Sequence, residues 1–450
     1  MMHMRLSEAA ALLGASVHGA DAAFRGLSTD TRTVGPGELF VALRGPNFDA
    51  HEFLEAARAR GAAGALVERM PAPLPAIEVP DARAAMGRLA AHWRARHSVD
   101  TLAVTGSNGK TTVKEMLAAI LARDAPVLAT CGNLNNDIGV PLTLAGLDAR
   151  HRRLVVEMGA NHPGEIAALA AMARPRIGVI TLVAPAHLEG FGSIDAVARA
   201  KGELIAALPA DGVAVVNADG GYQDLWRELA AGRRLLRFGE HADADVRVQH
   251  QAQADGARIS LYTPDGALDV PLRLAGRHNA LNAAAAAAAA LAAGVSLQCI
   301  GDGLASARPV HGRLEILAAP GDVRVIDDTY NANPVSLLAA LEVLAQFPPP
   351  RWLVLGDMGE LGADAAAFHR EAGLAARALG IQGLFGMGPL ARAAVQAFGA
   401  GGHHFDTHAQ VLRALNDALD GGASVLVKGS RTMGMEQVVA ALLQGEAQCC

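Results

Sequence analysis

The 450-residue sequence predicts an α/β protein of three domains: a small α/β N-terminal domain (residues 1–97), a central domain with a parallel sheet (98–313) and a Rossmann-like C-terminal domain (314–450). Three observations predict this architecture. The length suggests about three domains. Short apolar runs alternate with stretches of helical periodicity, as in parallel sheets covered by helices. A glycine-rich turn joins one apolar run, residues 102–104, to a helix.

The composition is that of a globular protein, with 51% hydrophobic, 19% charged and 4% aromatic residues. A net charge of −6 with scattered arginines offers no basic face, so we expect no nucleic-acid partner. The first apolar run is broken by Ser7 and Glu8, unlike a signal peptide, and the longest, residues 283–293, is too short to span a membrane. Four cysteines form no CxxC pair or disulfide framework. These features predict a soluble, cytoplasmic protein.

In the N-terminal domain, predicted strands alternate with predicted helices. The strands are 39–43, 65–67 and 77–79, and the helices are 7–13, 51–60 and 81–96. The loop Ser28-Thr-Asp-Thr-Arg32 combines hydroxyls with one carboxylate and one guanidinium. Such clusters are typical of caps and turns, and composition alone favours that interpretation over a ligand site.

The turn Gly106-Ser-Asn-Gly-Lys-Thr-Thr112 follows a predicted strand and opens a predicted helix at 113–121. Glycines let backbone N–H groups approach an anion, Lys110 can reach the outer phosphates of a nucleotide, and Thr111 can bind magnesium. The alternative is a tight turn with a surface lysine. Two residues separate the glycines where the general P-loop pattern has four. We predict a P-loop ATPase domain that binds ATP.

Further strands of the central domain are predicted at 154–156, 177–182 and 213–216, and polar residues follow two of them. Glu157 ends one strand, where nucleotide-binding sheets place a carboxylate for magnesium; an ordinary strand-end charge is the alternative. His187 follows the next strand, where a satisfied loop histidine is the commoner outcome. Lys201 lies on a predicted helix at 195–208 and, read in isolation, is a solvated surface lysine.

Two segments rich in asparagine complete the central domain. Residues 133–141, which include Asn136, form a predicted loop whose amides can meet phosphate or magnesium-bound water. The segment Gly276-Arg-His-Asn-Ala-Leu-Asn282 leads into eight alanines, a strong helix former. Asn279 and Asn282 either cap that helix and form its first turn, which we favour from sequence alone, or contact a base edge.

The C-terminal domain has predicted strands at 323–326, 352–355, 383–385 and 425–427, but no GxGxxG motif. Polar clusters end the first and last of these strands, in Asp327-Asp-Thr-Tyr-Asn-Ala-Asn-Pro334 and Lys428-Gly-Ser-Arg431. The carboxyl ends of parallel strands are where open sheets bind ligands.

Together these segments resemble the Mur ligase family. The resemblance covers all three predicted domains and depends on Ser28-Thr-Asp-Thr-Arg32, Glu38-Leu-Phe-Val-Ala-Leu43, Gly106-Ser-Asn-Gly-Lys-Thr-Thr112, Glu157-Met-Gly-Ala-Asn-His-Pro-Gly-Glu165, Ala186-His-Leu-Glu-Gly-Phe-Gly192, Lys201-Gly-Glu203, Arg277-His-Asn279, Asp328-Thr-Tyr-Asn-Ala-Asn-Pro334, Gly356-Asp-Met-Gly-Glu-Leu-Gly362 and Lys428-Gly-Ser-Arg431. The family's phosphate loop is short, which agrees with the spacing at Gly106. The resemblance implies an ATP- and magnesium-dependent amide ligase of cytoplasmic peptidoglycan synthesis that acts as a monomer. The partners it implies are UDP-N-acetylmuramoyl-tripeptide and D-alanyl-D-alanine.

The resemblance also implies residue roles. The ATP contacts are Gly106, Ser107, Asn108, Gly109, Lys110, Thr111, Thr112, Asn136, His278, Asn279, Arg313 and Asp328. The catalytic residues are Lys110, Glu157, His187 and Lys201. The magnesium ligands are Thr111, Glu157, His187 and Lys201, the last as a carbamylated lysine. The substrate contacts are Ser28, Thr29, Asp30 and Arg32 for the uridine diphosphate, with Tyr330, Asn331, Lys428, Ser430 and Arg431 in the C-terminal domain.

Two segments depart from the family pattern. The sequence before the C-terminal domain is Pro309-Val-His-Gly-Arg313, where relatives have proline before the glycine, and the loop before His187 lacks an asparagine that many relatives have. A sister ligase that adds a single amino acid is the nearest alternative function. A P-loop protein that hydrolyses ATP to switch a partner is the alternative of another class, and it leaves the polar clusters at Asp328 and Lys428 unexplained.

Overall fold

The computed structural model describes residues 1–185, 188–253, 256–419 and 421–445. Within them the strands form a two-stranded and a five-stranded sheet near the N-terminus, a nine-stranded central sheet and a six-stranded third sheet. We call residues 1–97 the N-terminal region, 98–313 the central region and 314–445 the C-terminal region. Each sheet lies within one region, and the α/β class is confirmed. The domain boundaries themselves stay predictions.

The N-terminal region is built from β1 (His3–Arg5), α1 (Leu6–Leu13), β2 (Val17–His18), β3 (Ala23–Arg25), β4 (Leu27–Ser28), β5 (Leu39–Val41), α2 (Leu54–Ala59), β6 (Gly64–Val67), β7 (Ala76–Glu78) and α3 (Ala82–Ala95). Its larger sheet has the order β2-β7-β6-β5-β4, in which β4 to β7 run parallel. Strands β5 and β6 are buried on both faces, as their continuous apolar runs predict.

The central region is built from β8 (Asp100–Thr105), α4 (Lys110–Leu121), β9 (Val127–Ala129), α5 (Gly139–Ala145), β10 (Arg153–Glu157), α6 (Glu165–Ala173), β11 (Ile177–Ile180), α7 (Leu188–Phe191), α8 (Ile194–Ala206), β12 (Val213–Asn217), α9 (Gln223–Ala230), β13 (Arg234–Gly239), β14 (Val246–Gln253), β15 (Gly256–Thr263), β16 (Gly266–Leu272), α10 (Arg277–Ala292) and α11 (Leu297–Ser306). The strand order is β16-β15-β14-β13-β12-β11-β8-β10-β9. Strands β8 to β14 are parallel, but β15 and β16 pair antiparallel at one edge. The predicted strands of this sheet are therefore parallel as expected, and its antiparallel edge was not predicted.

Helix α10 packs against α4 and against β13 and β14. The alanines at 283–290 are all fully buried, so this helix is enclosed on every side. Because alanine adds almost no bulk, the neighbouring elements approach the helix axis closely. The helix start, with Asn279 and Asn282, is thereby fixed against the sheet and the phosphate loop.

The C-terminal region is built from β17 (Glu315–Ala319), β18 (Val323–Asp328), α12 (Pro334–Leu344), β19 (Arg351–Gly356), α13 (Ala365–Ala378), β20 (Gly383–Met387), α14 (Ala391–Phe398), β21 (Gly402–Phe405), α15 (His408–Ala418), β22 (Ser424–Lys428) and α16 (Glu436–Gln444). Its sheet has the order β17-β18-β22-β19-β20-β21, and only β17 among these strands pairs antiparallel. The helices cover both faces, as in a Rossmann-like sheet.

The N-terminal region joins the central region through a shared apolar core, in which α3 packs against α5 and α6. The Trp93 Nε1 donates a hydrogen bond of 3.0 Å to the Leu147 carbonyl. The buried guanidinium of Arg94 donates to the carbonyl groups of Ala173 and Val99. Among the described residues, no helix combines the length and apolarity that crossing a bilayer requires.

Candidate active site

The glycine turn between β8 and α4 has the backbone geometry that its sequence predicts. Gly106 and Gly109 have φ of +145° and +80°, in the region that favours glycine. A Cβ on Gly106 would lie 1.9 Å from Thr181 Oγ1, and one on Gly109 would lie 2.4 Å from Asn282 Oδ1. The turn therefore requires glycine at both positions. Helix α4 starts at Lys110 without a side-chain cap, so its first N–H groups remain available to an anion.

A cavity of about 390 Å³ lies over this turn, between the central and C-terminal regions. It is lined by most of the predicted nucleotide and catalytic residues and by part of the predicted substrate set. These are Ser107, Asn108, Gly109, Lys110, Thr112, Asn136, Glu157, His278, Asn279, Arg313, Asp328, Tyr330, Asn331 and Lys428. Residues from 107 to 428 thus converge on one site.

The Lys110 side chain lies over the turn. Its Nζ donates hydrogen bonds to the carbonyl oxygens of Gly106, at 2.7 Å, and Ser107, at 3.4 Å. Burial lowers the pKa of Lys110, while the nearby Glu157 carboxylate acts in the opposite direction. These bonds hold the ammonium group where a bound phosphate chain would meet it.

Two buried oxygen atoms fit a divalent cation. Glu157 is fully buried, and its Oε1 accepts a hydrogen bond of 2.7 Å from Asn135 Nδ2. Its Oε2 and the Oγ1 of Thr111 are both buried and have no hydrogen-bond partner among the described residues. Unsatisfied buried oxygens are rare unless a water or ion completes them, and magnesium prefers oxygen ligands. Glu157 and Thr111 therefore fit the predicted magnesium site.

The interpretation of Lys201 as a surface lysine is wrong. The side chain is only 2% exposed, and its Nζ lies 3.5 Å from the Ala160 carbonyl oxygen and 5.5 Å from the centre of the Phe191 ring. Burial, with a smaller effect of the Lys110 charge, lowers the pKa of Lys201 to about 7. The signal was in the sequence, because Val197 and Leu204 place Lys201 within an apolar stripe of α8.

The two remaining lysines are also buried. Lys114, on α4, donates a hydrogen bond of 2.8 Å to the Thr130 carbonyl. Lys428, at the end of β22, is 1% exposed and forms an ion pair with Asp328. The predicted metal ligand His187 lies outside the described residues, and its role stays a prediction.

The start of α10 forms another part of the cavity wall. Gly276 is the N-cap residue and makes no side-chain cap, so the prediction that Asn279 caps the helix is wrong. Asn279 instead donates from Nδ2 to the Ala275 carbonyl at 2.8 Å and accepts from Asn282 at 3.1 Å. Burial and the Lys428 charge lower the pKa of His278 to about 4, so this imidazole is neutral at physiological pH.

The junction of the central and C-terminal regions and the strand ends beyond it contribute a charged wall. The Arg313 guanidinium lies 4.0 Å from the centre of the Tyr330 ring. The Asp328 carboxylate accepts a hydrogen bond from the Leu314 N–H at 3.1 Å and pairs with Lys428. Lys428 also donates to the Asn331 carbonyl at 2.9 Å. This network fixes the strand ends that face the phosphate loop.

A reciprocal amide contact links the phosphate loop to the C-terminal region. Asn108 Nδ2 donates to Asn333 Oδ1 at 3.2 Å, and Asn333 Nδ2 donates to Asn108 Oδ1 at 2.6 Å. Asn333 also caps α12 by accepting from the Ser336 N–H at 2.9 Å. Asn333 was not predicted as a site residue, since its cap is local but its partner is 225 residues away.

The polar loop after β9 lies at the cavity, and two neighbouring asparagines in it have different partners. Asn136, the predicted contact, lines the cavity, yet its side chain accepts from the Gly139 N–H at 2.9 Å and so closes a turn before α5. Asn135 is the residue that contacts Glu157. The ATP contact of Asn136 stays a prediction, and the contact of Asn135 with Glu157 was not predicted.

Several predicted substrate residues lie outside the cavity lining. In the N-terminal loop, Arg32 makes a bidentate pair with Asp30 and holds the pKa of that carboxyl at about 2, while Ser28 is buried. The Arg431 guanidinium lies 3.3 Å from Glu436. The roles of these residues stay predictions, as do those of Thr29 and Ser430.

Comparisons with known proteins agree with this geometry. Residues 104–290 match the Mur ligase middle domain, and residues 312–431 match the family described as Mur ligase, glutamate ligase domain. The chain is 44% identical over 446 residues to UDP-N-acetylmuramoyl-tripeptide--D-alanyl-D-alanine ligase of Escherichia coli (strain K12), covering 98% of this chain and 99% of that protein. It is 38% identical to the protein of that name from Haemophilus influenzae, covering 92% of this chain and 93% of that protein.

Solved structures resemble the whole fold. The crystal structure of MurF from Acinetobacter baumannii superposes with a TM-score of 0.92 at 36% identity, covering 98% of this chain and 99% of that one. The structure of MurF ligase from Thermotoga maritima in complex with ADP gives a TM-score of 0.83 at 29% identity, covering 94% and 98%. The three-region architecture is therefore shared along its length.

Proposed function

The chain belongs to the Mur ligase family, and from this premise we propose that it is an ATP-dependent ligase that joins D-alanyl-D-alanine to UDP-N-acetylmuramoyl-tripeptide. The observation that carries the proposal is the cavity in which the phosphate loop and Glu157 face Asp328 and Lys428 of the C-terminal region. Such a cavity can hold a nucleotide on one wall and an acceptor on the other. The product is a peptidoglycan precursor, and we place the reaction in the cytoplasm, in a monomer.

The reaction needs an activated acid, because an amine cannot displace the oxygen of a carboxylate directly. The terminal carboxylate of the tripeptide attacks the γ-phosphorus of ATP, ADP leaves, and an acyl phosphate forms. The amine of D-alanyl-D-alanine then attacks the acyl carbon, phosphate leaves with the bonding electron pair, and the nitrogen loses a proton. Lys110 stabilises the charge on the phosphoryl oxygens.

We assign the buried oxygens of Thr111 and Glu157 to a magnesium ion. When bound, magnesium supplies positive charge that neutralises phosphate oxygens. Glu157 is oriented for this role by the hydrogen bond from Asn135. The turn glycines keep the backbone N–H groups close to the phosphates, and His187 is proposed as a further ligand.

A carbamylated Lys201 is part of the proposal. Its low pKa, about 7, leaves much of the amine neutral at physiological pH, and only the neutral amine adds carbon dioxide. In that step the nitrogen bonds to the carbon of carbon dioxide and releases a proton. The resulting carbamate is an anion, which converts a buried cation into a metal ligand close to Lys110.

The remaining substrate roles are proposed from position and chemistry. The loop of Ser28, Thr29, Asp30 and Arg32 contacts the uridine diphosphate and supplies hydroxyl and N–H donors to it. The acceptor dipeptide meets the C-terminal region, through Tyr330, Asn331, Lys428, Ser430 and Arg431. Since these loops lie on different regions, we propose that the C-terminal region moves to close the loaded site.

The test is an amidation assay with the purified full-length chain. Magnesium, ATP, D-alanyl-D-alanine and UDP-N-acetylmuramoyl-tripeptides containing diaminopimelate or lysine are combined, and both phosphate release and the new amide are measured. Phosphate release should require both peptide partners and should match amide formation. ATP hydrolysis without an acceptor, or a preference for single amino acids, would overturn the proposal. A Lys110→Ala variant should lose turnover while it still binds the UDP substrate.

A further inference from the structure

Three side chains of types that commonly bind metal ions lie together where the central region joins the C-terminal region. Glu315 and Asp327 are directly opposite each other in the register of the antiparallel strands β17 and β18. His311 lies in the connector that leads into β17. One ligand atom from each of the three residues lies within 4.8 Å of the others. Two carboxylates at facing positions repel each other unless a positive charge lies between them.

Asp327 supplies a buried oxygen without a hydrogen-bond partner. The residue is fully buried, and its Oδ1 accepts from the Thr329 hydroxyl at 2.6 Å. Its Oδ2 has no hydrogen-bond partner among the described residues. The nearest cationic candidate is His311 Nδ1 at 3.6 Å, which is too far for a hydrogen bond. A buried anionic oxygen in this position is incomplete without a further ligand.

The distances fit a shared ion. His311 Nδ1 lies 3.3 Å from Glu315 Oε2 and 3.6 Å from Asp327 Oδ2. Two ligands that are each about 2.1 Å from a zinc ion at a tetrahedral angle are about 3.4 Å apart. One imidazole nitrogen with two carboxylate oxygens suits zinc better than magnesium, which prefers oxygen alone.

We propose that His311, Glu315 and Asp327 form a zinc-type divalent cation site that is separate from the nucleotide site. None of the three residues lines the active-site cavity. With three protein ligands, the site leaves a fourth position to water. The competing interpretation, a protonated histidine that simply pairs with two carboxylates, is an outcome of the test below.

The position of this site gives it a structural effect. The connector residues Gly312 and Arg313 follow His311 directly, and Arg313 stacks on Tyr330 at 4.0 Å. Asp327 precedes Asp328, which accepts from the Leu314 N–H. A cation bound by His311 and the β17–β18 pair therefore ties the connector to the third sheet beside two residues of the cavity wall.

The test is a zinc titration of the full-length chain by calorimetry, with millimolar magnesium present to occupy hard-cation sites. His311→Ala and Glu315→Gln change side chains at or near the surface, and Asp327→Asn changes the buried one. His241→Ala is the matched control, because His241 is exposed and lies 3.7 Å from a carboxylate, Asp243, without a buried partner.

The wild-type chain and His241→Ala should each bind one equivalent of zinc. His311→Ala and Glu315→Gln should bind it more than about 100-fold more weakly, because each loses a direct ligand, and losing an outer-shell partner alone costs about 10- to 100-fold. Cobalt in place of zinc should give a visible absorption band in the wild type and His241→Ala. Zinc should also slow amide hydrogen exchange of residues 308–313 in the wild type and not in His311→Ala. Equal zinc binding in the wild type and His311→Ala, or none in either, would leave only the ion pair and overturn the proposal.

Discussion

Gly303 lies where α11 crosses α4, the helix that follows the phosphate loop. A Cβ at this position would lie 2.4 Å from the Cα and 2.7 Å from the N of Ile120, which are backbone atoms. Ordinary contacts need about 1 Å more, so Gly303→Ala must separate the two helices. Overpacking of this kind costs about 1–3 kcal/mol or more, while the better helix propensity of alanine returns about 1 kcal/mol.

Gly301 on the same helix is the matched control. Its Cβ would meet only the flexible Leu268 Cδ1, at 3.2 Å. Gly301→Ala should therefore stabilise by up to about 1 kcal/mol through helix propensity. The free energies of unfolding of the two variants should differ by about 1–3 kcal/mol, with Gly303→Ala the less stable, because the gain in helix propensity is common to both and cancels.

Urea denaturation of both variants and the wild type measures this difference, followed by tryptophan fluorescence at equal protein concentration. Because α4 begins at Lys110, Gly303→Ala should also weaken binding of ATP. If Gly303→Ala were as stable as Gly301→Ala, the close crossing of α4 and α11 would be refuted.

Three other predictions concern buried polar groups. In buffer without carbon dioxide, the free energy of unfolding should rise with pH between about 7 and 10.5, because the unfolded chain keeps a proton that buried Lys201 has lost. Thermal denaturation at several pH values should give a slope of this free energy of up to about 1.4 kcal/mol per pH unit, and Lys201→Met should lack the slope. Lys428→Met and Asp328→Asn should each cost about 3–5 kcal/mol in denaturant titrations, and the double variant should lose less than their sum; additive losses would contradict the buried ion pair. Asn333→Ala should lose about 1 kcal/mol with the α12 cap, whereas Asn333→Ser should retain the cap. Both should speed hydrogen exchange of the Asn108 side-chain amide, measured by NMR, by removing its partner, and unchanged exchange would contradict the contact.

The parallel strands were predictable because they are buried on both faces and read as continuous apolar runs. Strand β10, at Arg153–Glu157, is an example, with four of its five residues buried. Strands β14 to β16 were missed because they are half exposed, and β14 ends in a run of exposed residues, including glutamines. A strand that buries one face at an edge gives a weak periodic signal.

The chemistry of the site was predictable where one turn contains it. Gly106 to Thr112 places donors, lysine and threonine within a single strand-to-helix connection, so local sequence is sufficient. The contact between Asn108 and Asn333 depends instead on how two sheets are placed, and the contact of Asn135 with Glu157 depends on the path of a loop. Local propensity contains neither piece of information.

The location of the lysines has a practical consequence. The sequence contains four, Lys110, Lys114, Lys201 and Lys428, and each is buried or lines the cavity. Arginine therefore carries the fixed positive charge of the outer surface. At the surface, a reagent that acylates primary amines can therefore react only with the N-terminal amine. Labelling of the lysines, measured by mass spectrometry, reports access of the reagent to the catalytic centre.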